Sequence, residues 1–439
     1  MDDEADILIV GAGAAGLAAA RELSAEGLKV IVLEARNRIG GRINTHLDQF
    51  PIELGAEFVH GKPRESLSIV GRAKLTLQKV PSVHWYINNG ILTKSGEFWS
   101  KVEDVMKKMS SYKGQDEGFA QFLNDYKRRT QIEDIETIAT LYVEGFHAAD
   151  AHRIGVHGLN KTNEAADQVE DEKQFRVQDG YKLVAQTLHD DAIAAGAKFH
   201  LNTSVEEVRW ERNQVEVLTK ASISFKARLL LITLPLTLLQ KGTVRFTPAI
   251  AEKQSVANKL AMGDVVKVVL RFREPFWKDL TIPGEDNSPA DLKELTFIHA
   301  PQEPLPTWWT QFPADAPLLA GWAGGPRAQK LARESDDSLL DQSIQTLSHI
   351  LQTSKTSLEG MFEAFYTHSW QTDRFSSGAY SYIPVGGIDA TEALARSMDD
   401  TLFFAGEATN TTGHQGTVHG AIATGLRAAR EIIAVFRQS

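Results

Sequence analysis

Residues 6–16 read Asp-Ile-Leu-Ile-Val-Gly-Ala-Gly-Ala-Ala-Gly, and this stretch decides the fold. The apolar, β-branched run that ends at Val10 is typical of a strand buried on both faces. Gly11 then permits a tight turn, Gly13 permits close approach of a phosphate to the backbone, and Gly16 permits a helix to pack on the strand. The N-terminus of that helix offers free N–H groups and the positive end of a dipole to an anion. The pattern predicts a dinucleotide-binding fold.

The segment after the glycines continues the same unit. Residues 17–26 are rich in alanine and leucine, Gly27 suits a helix C-cap, and residues 29–33 (KVIVL) predict a second buried strand. Glu34 ends this strand, roughly 20 residues after the glycines, where an acid accepts hydrogen bonds from a ribose 2′-hydroxyl. An acid at this position argues against the 2′-phosphate of NADP. FAD and NAD share this opening, so the unit alone does not choose between them.

Composition limits the classes of partner. The chain has 439 residues, which suits two domains that share an interface. Its 57 acidic and 47 basic residues give a formal charge of −10, which disfavours nucleic acid or an anionic membrane and mildly favours a cationic partner. The sequence has no apolar stretch of the roughly 20 residues that a membrane-spanning helix needs.

The chain ends and the cysteine count add three expectations. The acidic start, residues 1–4, leads straight into a strand and does not read as a secretory signal, so we expect a cytoplasmic location. The sequence contains no cysteine, so disulfides, thiolate nucleophiles and a thioether link to a cofactor are excluded. We also expect no bound metal.

Further motifs follow along the whole chain in a fixed order. They are Glu34-Ala35-Arg36, Ile39-Gly40-Gly41-Arg42, Glu53-Leu54-Gly55-Ala56-Glu57, residues 402–409 (LFFAGEAT) and residues 416–421 (GTVHGA). Together they resemble the FAD-dependent amine oxidases, a family that includes monoamine oxidases, polyamine oxidases and the lysine-specific histone demethylase. The resemblance implies FAD as the cofactor.

The resemblance also implies which residues contact FAD. They are Gly11, Gly13, Ala15, Gly16, Glu34, Ala35, Arg36, Gly41, Arg42, Gly55, Ala56, Glu57, Val205, Trp370, Gly406, Glu407, Thr417 and Val418. Ala379 occupies the place where monoamine oxidases attach flavin through cysteine, so we expect the FAD to be noncovalent.

Five residues are expected to act in catalysis: Lys267, Tyr380, His60, Thr417 and Trp370. From its spacing alone, Lys267 reads as a solvated lysine on an edge strand. The resemblance instead implies a buried lysine that holds a water against flavin N5. Trp370 and Tyr380 alone would read as core aromatics. By resemblance, Trp370 borders the flavin and Tyr380 forms one wall of an aromatic amine site, where a ring face suits a cation.

The remaining site residues point toward polyamine oxidases within the family. Thr417 replaces the second tyrosine wall of monoamine oxidases, and a threonine there is also a good helix N-cap. His60 falls where polyamine oxidases place a residue facing the substrate, although a structural loop histidine is the alternative. Glu57 and Glu144 are candidates to anchor a distal ammonium, and Glu57 has the alternative of touching flavin only through its backbone.

The implied reaction is oxidation of a small cationic amine, and the expected substrate is a polyamine such as spermine or spermidine. Hydride passes from the carbon beside the amine to flavin N5, and molecular oxygen reoxidises the flavin. The products are hydrogen peroxide, an aldehyde and a smaller amine. The alternatives are an oxidase of monoamines or other small amines, a dehydrogenase that passes electrons to a carrier, and a flavin-binding partner protein without amine turnover.

The predicted architecture is α/β, with a Rossmann-like dinucleotide domain interleaved with a substrate domain of mixed sheet and helices. We expect the FAD-binding domain to comprise residues 1–78, 179–260 and 396–439. The substrate-binding domain should comprise residues 79–178 and 261–395.

Overall fold

A computed structural model describes residues 4–88, 90–94, 96–130, 135–284 and 289–438. Residues 1–3 of the acidic start lie outside the described residues. The strands, numbered in chain order, are β1 (Glu4–Val10), β2 (Val30–Leu33), β3 (Thr45–Leu47), β4 (Pro51–Glu53), β5 (Phe58–His60), β6 (Leu77–Val80), β7 (His84–Asn88), β8 (Ile91–Lys94), β9 (Gln174–Val177), β10 (Lys198–His200), β11 (Val205–Glu211), β12 (Gln214–Thr219), β13 (Ser224–Ile232), β14 (Arg245–Thr247), β15 (Ala261–Met262), β16 (Val265–Phe272), β17 (Ile282–Pro283), β18 (Pro289–Ala290), β19 (Phe297–His299), β20 (Thr307–Thr310), β21 (Leu318–Gly324), β22 (Phe362–Thr367), β23 (Ser381–Tyr382) and β24 (Leu402–Phe404).

The described residues also form the following helices, numbered in chain order. The α-helices are α1 (Ala14–Ala25), α2 (Arg64–Arg72), α3 (Gly96–Ser110), α4 (Phe119–Thr130), α5 (Ile135–His147), α6 (Val156–Gln168), α7 (Lys182–Ala194), α8 (Leu236–Gln240), α9 (Ala251–Ala257), α10 (Gly325–Leu331), α11 (Asp336–Leu351), α12 (Lys355–Met361), α13 (Ala390–Ala395) and α14 (Val418–Arg437). Two short 3₁₀ helices cover Phe276–Asp279 and Glu407–Thr409. Within the described ranges, helices of membrane-spanning length and apolarity are absent.

An eight-stranded sheet carries the predicted dinucleotide unit. Its order is β10-β2-β1-β13-β12-β11-β14, and β24 also pairs with β13. The strands β10, β2, β1, β13 and β24 run parallel, whereas β12 is antiparallel to both of its neighbours. β2 and most of β1 are buried, as expected where helices cover both faces of a parallel sheet. The prediction of a β-α-β unit at the start of the chain is confirmed.

Two glycines set how closely α1 packs. A Cβ on Gly16 would lie 2.0 Å from the carbonyl oxygen of Gly11, so only glycine lets α1 sit this close to the end of β1. A Cβ on Gly425 in α14 would lie 2.1 Å from the carbonyl oxygen of Ala15. The first and last helices of the described chain therefore pack in direct backbone contact.

A second, seven-stranded sheet has the order β22-β16-β21-β20-β19-β7-β8. Strand β16 is an interior strand, antiparallel to β21 on one side and to β22 on the other. Seven of its eight residues are buried. Helices α3 to α6 form a separate layer, whose apolar core includes Val105, Phe119 and Val143.

The α/β class is confirmed, and the strands divide as the predicted segments do. Every strand of the eight-stranded sheet lies in residues 1–78, 179–260 or 396–439, and every strand of the seven-stranded sheet lies in 79–178 or 261–395. The three-stranded sheet β5-β9-β6 draws on both sets. The division into two domains stays a prediction.

Candidate active site

One cavity of about 1140 Å³ lies against both large sheets. It is lined by every residue predicted to contact FAD except Gly16, which packs beneath the first turn, and by Lys267, Tyr380 and His60. We call the part around Gly13, Glu34, Arg42 and Glu407 the dinucleotide end, and the part around Lys267 the reaction end. The structure thus brings together residues that lie hundreds of positions apart in the chain.

At the dinucleotide end, Glu34 is held at the tip of β2. Its Oε2 accepts a hydrogen bond from the Ala12 N–H at 2.8 Å, and its Oε1 accepts one from the Arg36 N–H at 2.8 Å. Each carboxylate oxygen can accept a second bond, so a ribose hydroxyl can also bind there. Gly13 lines the same space, and a Cβ built on it would have no atom within 4 Å. The first turn therefore leaves room for a phosphate.

Arg36 is fixed by an acid that the motifs did not indicate. Its guanidinium donates two hydrogen bonds to Asp373, at 2.7 and 2.8 Å, and one to the Ser376 hydroxyl at 2.9 Å. Burial alone would raise the pKa of Asp373, but the Arg36 hydrogen bond and neighbouring donors lower it to about 2. Asp373 thus remains charged and orients Arg36 beside the cavity.

Arg42 and Glu407 join the two FAD motifs of the chain. Arg42 Nη1 donates to Glu407 Oε1 at 2.9 Å and to the Ala379 carbonyl at 2.6 Å. Glu407 Oε2 accepts from the Ser381 hydroxyl at 2.6 Å and from the Gly416 N–H at 3.0 Å. This buried carboxylate therefore ties the residue 39–42 motif to the turn that precedes α14.

Thr417 is the N-cap of α14. Its Oγ1 accepts the Gly420 N–H at 2.9 Å and donates to the His414 carbonyl at 2.8 Å. Thr417 and Val418 line the cavity, so the positive end of a 20-residue helix faces it. The N-cap interpretation is confirmed, and a catalytic role of Thr417 stays a prediction.

These features fit FAD. An open glycine turn suits the pyrophosphate, the Glu34 carboxylate suits a ribose, and the α14 N-terminus suits the electron-rich carbonyl edge of a flavin ring. Ala379, which is buried beside Arg42, has no atom that could link covalently to the ring. Gly13, Glu34, Arg42, Glu407 and α14 would hold the cofactor.

At the reaction end, Lys267 lies inside the sheet. Its strand is bordered by β21 and β22, and only 3% of the residue is exposed, so the alternative of a solvated edge lysine is wrong. Its Nζ donates to Glu57 Oε2 at 2.7 Å and to the Gly55 carbonyl at 3.3 Å. Lys267 is therefore a buried ammonium beside the cavity, with an anionic partner that the sequence did not indicate.

Glu57 is the centre of a buried network. Its Oε1 accepts from Arg176 Nε at 2.8 Å, from Trp309 Nε1 at 3.0 Å and from Gln311 Nε2 at 3.4 Å. Burial alone would raise the pKa of Glu57, but the charges of Lys267 and Arg176 lower it to about 2. The carboxylate is fully engaged, contrary to the expectation that Glu57 anchors a distal ammonium.

Aromatic side chains form the walls near Lys267. Trp370 is 4% exposed and donates from Nε1 to the Leu54 carbonyl at 2.9 Å. The Tyr380 hydroxyl donates to the Phe146 carbonyl at 2.8 Å, and burial raises the pKa of Tyr380. Tyr142 and Phe146 stack with ring centroids 5.6 Å apart. Burial also raises the pKa of Tyr142, so Tyr142 and Tyr380 are both neutral hydroxyls.

Acidic residues line the outer part of the cavity. We call Glu103, Glu164, Asp167, Asp171 and Glu172 the acidic rim. Asp171 Oδ1 lies 3.4 Å from His60 Nδ1, and the His60 ring meets Phe146 edge-on at 5.5 Å. Four of the five carboxylates belong to residues 164–172, at the end of α6 and in the turn after it, and this segment lines the cavity.

The position of Glu144 contradicts the expectation that it anchors a distal ammonium. It does not line the cavity, and burial raises the pKa of its carboxyl, which also accepts a backbone hydrogen bond from Ala151. It is therefore not placed to anchor a substrate ammonium. Arg176, Trp309 and Asp373 were missed because each lies outside any recognisable motif.

Comparison with known proteins agrees with this geometry. The family described as flavin containing amine oxidoreductase matches residues 14–433. Polyamine oxidase 3 of Oryza sativa subsp. japonica is 28% identical over 97% of this chain and 88% of its own. Lysine-specific histone demethylase 1 homolog 2 of Arabidopsis thaliana is 29% identical over 98% of this chain, which spans only 59% of that relative.

Solved structures share the fold. A putrescine oxidase bound to putrescine superposes with a TM-score of 0.82 at 22% identity, covering 99% of this chain and 100% of its own. Cyclohexylamine oxidase from Brevibacterium oxydans superposes with a TM-score of 0.80 at 19% identity, covering 99% of each chain. Because the family match spans nearly the whole sequence, the protein belongs to the flavin-containing amine oxidoreductases and is an FAD-dependent amine oxidase.

Proposed function

We propose that the substrate is a polyamine-like cation, oxidised at a carbon beside one of its amines. Bound FAD would supply the acceptor for the hydride that leaves this carbon, with molecular oxygen as the final acceptor and hydrogen peroxide as a product. The aldehyde and a smaller amine would follow by hydrolysis. The protein would contribute orientation, exclusion of water and control of charge.

The gradient of charge along the cavity carries this proposal. Five carboxylates and one lysine, Lys107, line its exposed part, whereas the reaction end presents aromatic faces and a lysine already paired with Glu57. A long cation with several ammonium groups can place one at the acidic rim while a neutral amine reaches the interior. A small monoamine has a single nitrogen and cannot occupy both positions.

The relatives support the same substrate class. The names polyamine oxidase and putrescine oxidase recur among them, and the latter was solved with a diamine bound. Thr417 also agrees with this class, because an N-cap threonine leaves the space that a second aromatic wall would fill.

Four of the five predicted catalytic residues have a proposed task. Lys267 would present a positive charge to the flavin ring, and Trp370 would pack beside that ring. Tyr380 would form one wall of the amine site, where aromatic faces contribute roughly 0.5–2 kcal/mol toward a cation. His60, held near Asp171, would face the passing substrate.

A substrate panel at two ionic strengths tests the proposal. Spermine and spermidine should show a higher kcat/KM than benzylamine and phenethylamine. Their advantage should shrink with salt, because the Debye length falls from about 10 Å at 0.1 M to about 3 Å at 1 M. Equal or better rates with the aromatic monoamines would overturn the polyamine assignment.

A rim variant sharpens the test. Asp171→Asn should raise KM for spermine several-fold and leave benzylamine unchanged, because only the polyamine extends to the rim. Asp190→Asn is the matched control, since Asp190 is an acid on α7 that does not line the cavity. Equal effects of the two variants on spermine would contradict a specific role of the rim.

Anaerobic mixing separates an oxidase from the other functions. The visible absorbance of bound FAD should bleach with a good amine and return on admission of air. Bleaching that air does not reverse would indicate a dehydrogenase with another acceptor, and no bleaching with any amine would indicate a non-catalytic flavoprotein.

A further inference from the structure

We propose that Glu57 is a positioning residue for Lys267, fixing both the orientation and the charge of its ammonium group. The inference rests on the proposed role of Lys267 toward the flavin and is independent of which amine is oxidised. Glu57 would act through Lys267 and would not itself contact the reacting atoms.

The hydrogen bonds of Lys267 define its orientation. An ammonium has three N–H groups. One reaches Glu57 at 2.7 Å, and a second is directed at the Gly55 carbonyl at 3.3 Å, on the same chain segment. With two N–H directions fixed, tetrahedral geometry fixes the third. A lysine without these contacts would keep the rotational freedom of its four-carbon chain.

Glu57 is itself immobile. Arg176 from β9 and Trp309 from β20 both donate to its Oε1, and Gln311 adds a longer contact at 3.4 Å. Arg176 also donates to the Thr310 carbonyl at 3.0 Å, which anchors it in turn. Because donors from β9, β20 and the segment after β20 hold the Glu57 carboxylate, it is a rigid support. Its hydrogen bond to Lys267 therefore fixes the position of the ammonium group.

The same network controls the charge of Lys267. Lys267 and Arg176 are both buried, and both pair with Glu57. Without Glu57, two buried cations would remain beside each other with no anion between them, which favours loss of a proton from the lysine. Glu57 thus supplies the anion that pairs with Lys267 in a place where burial disfavours an unpaired ammonium.

The test compares Glu57→Gln, Lys267→Met and the double variant, each loaded with FAD. In Glu57→Gln the visible spectrum of bound FAD should acquire a pH transition that wild type lacks, as the unpaired buried lysine loses its proton. Wild type should show at most the ionisation of Glu53, whose pKa is raised to about 7, and the additional transition should be absent in the double variant. Anaerobic bleaching by substrate should also slow about tenfold in Glu57→Gln. Glu57→Asp should restore much of this rate.

Glu53→Gln is the matched control. It changes another carboxyl on the same segment, one that feels the charge of Lys267 but accepts hydrogen bonds from the Tyr181 N–H and the Thr45 hydroxyl and makes none with Lys267. Glu53→Gln should not acquire a pH transition of bound FAD that depends on Lys267, that is, one that Lys267→Met would abolish. If Glu57→Gln fails to fold, Glu57→Gln combined with Arg176→Met removes one buried cation together with the carboxylate and should show the same transition.

The outcomes separate the two proposals. If Lys267→Met alone changes neither bleaching nor reoxidation, the proposed role of Lys267 fails and this inference fails with it. If Lys267→Met slows the reaction but Glu57→Gln shows no transition, only the positioning role of Glu57 is overturned. A transition that persists in the double variant would also overturn it, because another group would then be titrating.

Discussion

At the dinucleotide end of the cavity, Arg42 and Glu407 form a one-to-one ion pair, and most of their other partners are backbone groups. At the reaction end, Lys267 shares the Glu57 carboxylate with Arg176. The first pair balances its charges and ties distant segments together. The second cluster keeps an excess of positive charge around one carboxylate, which favours negative charge developing on a bound ring. On the roles proposed above, the Arg42–Glu407 pair serves assembly and the Lys267–Glu57–Arg176 cluster serves chemistry.

The largest effect should come from Lys267→Met. The variant should retain FAD, because the Lys267 side chain bonds to Glu57 and the Gly55 carbonyl and not to Glu34, Arg42 or Glu407, while turnover falls by about 10²–10³-fold, as for loss of a stabilising group in an active site. We expect reoxidation by oxygen to suffer most. Stopped-flow absorbance resolves the two half-reactions, and wild-type rates in both would show that Lys267 is only a buried strand lysine.

Arg42→Met should act in the opposite way, on cofactor retention. The variant would lose the guanidinium expected to contact FAD, and loss of a charge-assisted hydrogen bond of about 1.5–3 kcal/mol corresponds to roughly 10- to 150-fold weaker FAD binding. The ratio of flavin to protein absorbance after dialysis measures this loss. Turnover per bound FAD should change little, and a large change there would break the contrast between the two ends.

Glu53→Gln should change stability in a pH-dependent way. Burial raises the pKa of Glu53 to about 7. The native carboxyl then holds its proton between its unfolded value of 4.5 and about pH 7, so wild-type stability falls as pH rises through this window. The amide avoids that cost, which reaches about 3 kcal/mol above pH 7. The difference in Tm between variant and wild type should grow from pH 4.5 to 7 and then level off, and a constant difference would contradict it.

The smallest expected effect concerns the covalent state of the cofactor. Ala379 lies beside Arg42 and offers no sulfur, so acid precipitation of wild type should release all of the flavin intact. The supernatant spectrum should match free FAD. Flavin that stays with the pellet would reveal an attachment site elsewhere.

How far the sequence predicted the fold can be judged from particular elements. The first turn and the final helix were predictable, because glycine spacing, a strand-ending acid and an N-cap threonine are local requirements of backbone geometry. The interior position of β16 was not. Spacing alone predicts an edge lysine at Lys267, and the choice between edge and interior is made by β21 and β22, which pair from 40 or more residues away.

The same contrast between predictable and unpredictable features holds for the residues of the site. Residues predicted to meet a ligand through the backbone, such as Gly13, come from a motif, and the structure places Gly13 at the cavity. The partners of Glu57 were not, because Arg176 and Trp309 come from different strands and no spacing relates them. Four of the five rim carboxylates lie in the acidic segment 164–172, which is visible in the sequence. Only the fold shows that this segment lines the cavity. Side-chain networks between distant strands are what sequence patterns record least.

The contact between α1 and α14 has a consequence for synthesis. Gly425 packs against Ala15, and the cavity needs both the first glycine turn and the Gly406-Glu407 pair. Their separation in the chain is about 400 residues, so at roughly 5–20 residues per second the first turn exists for about 20–80 s before its counterpart is made. FAD can therefore be captured in full only after translation has passed α14. Until then β1 and α1 present an apolar surface without its partner helix, which a chaperone would need to shield.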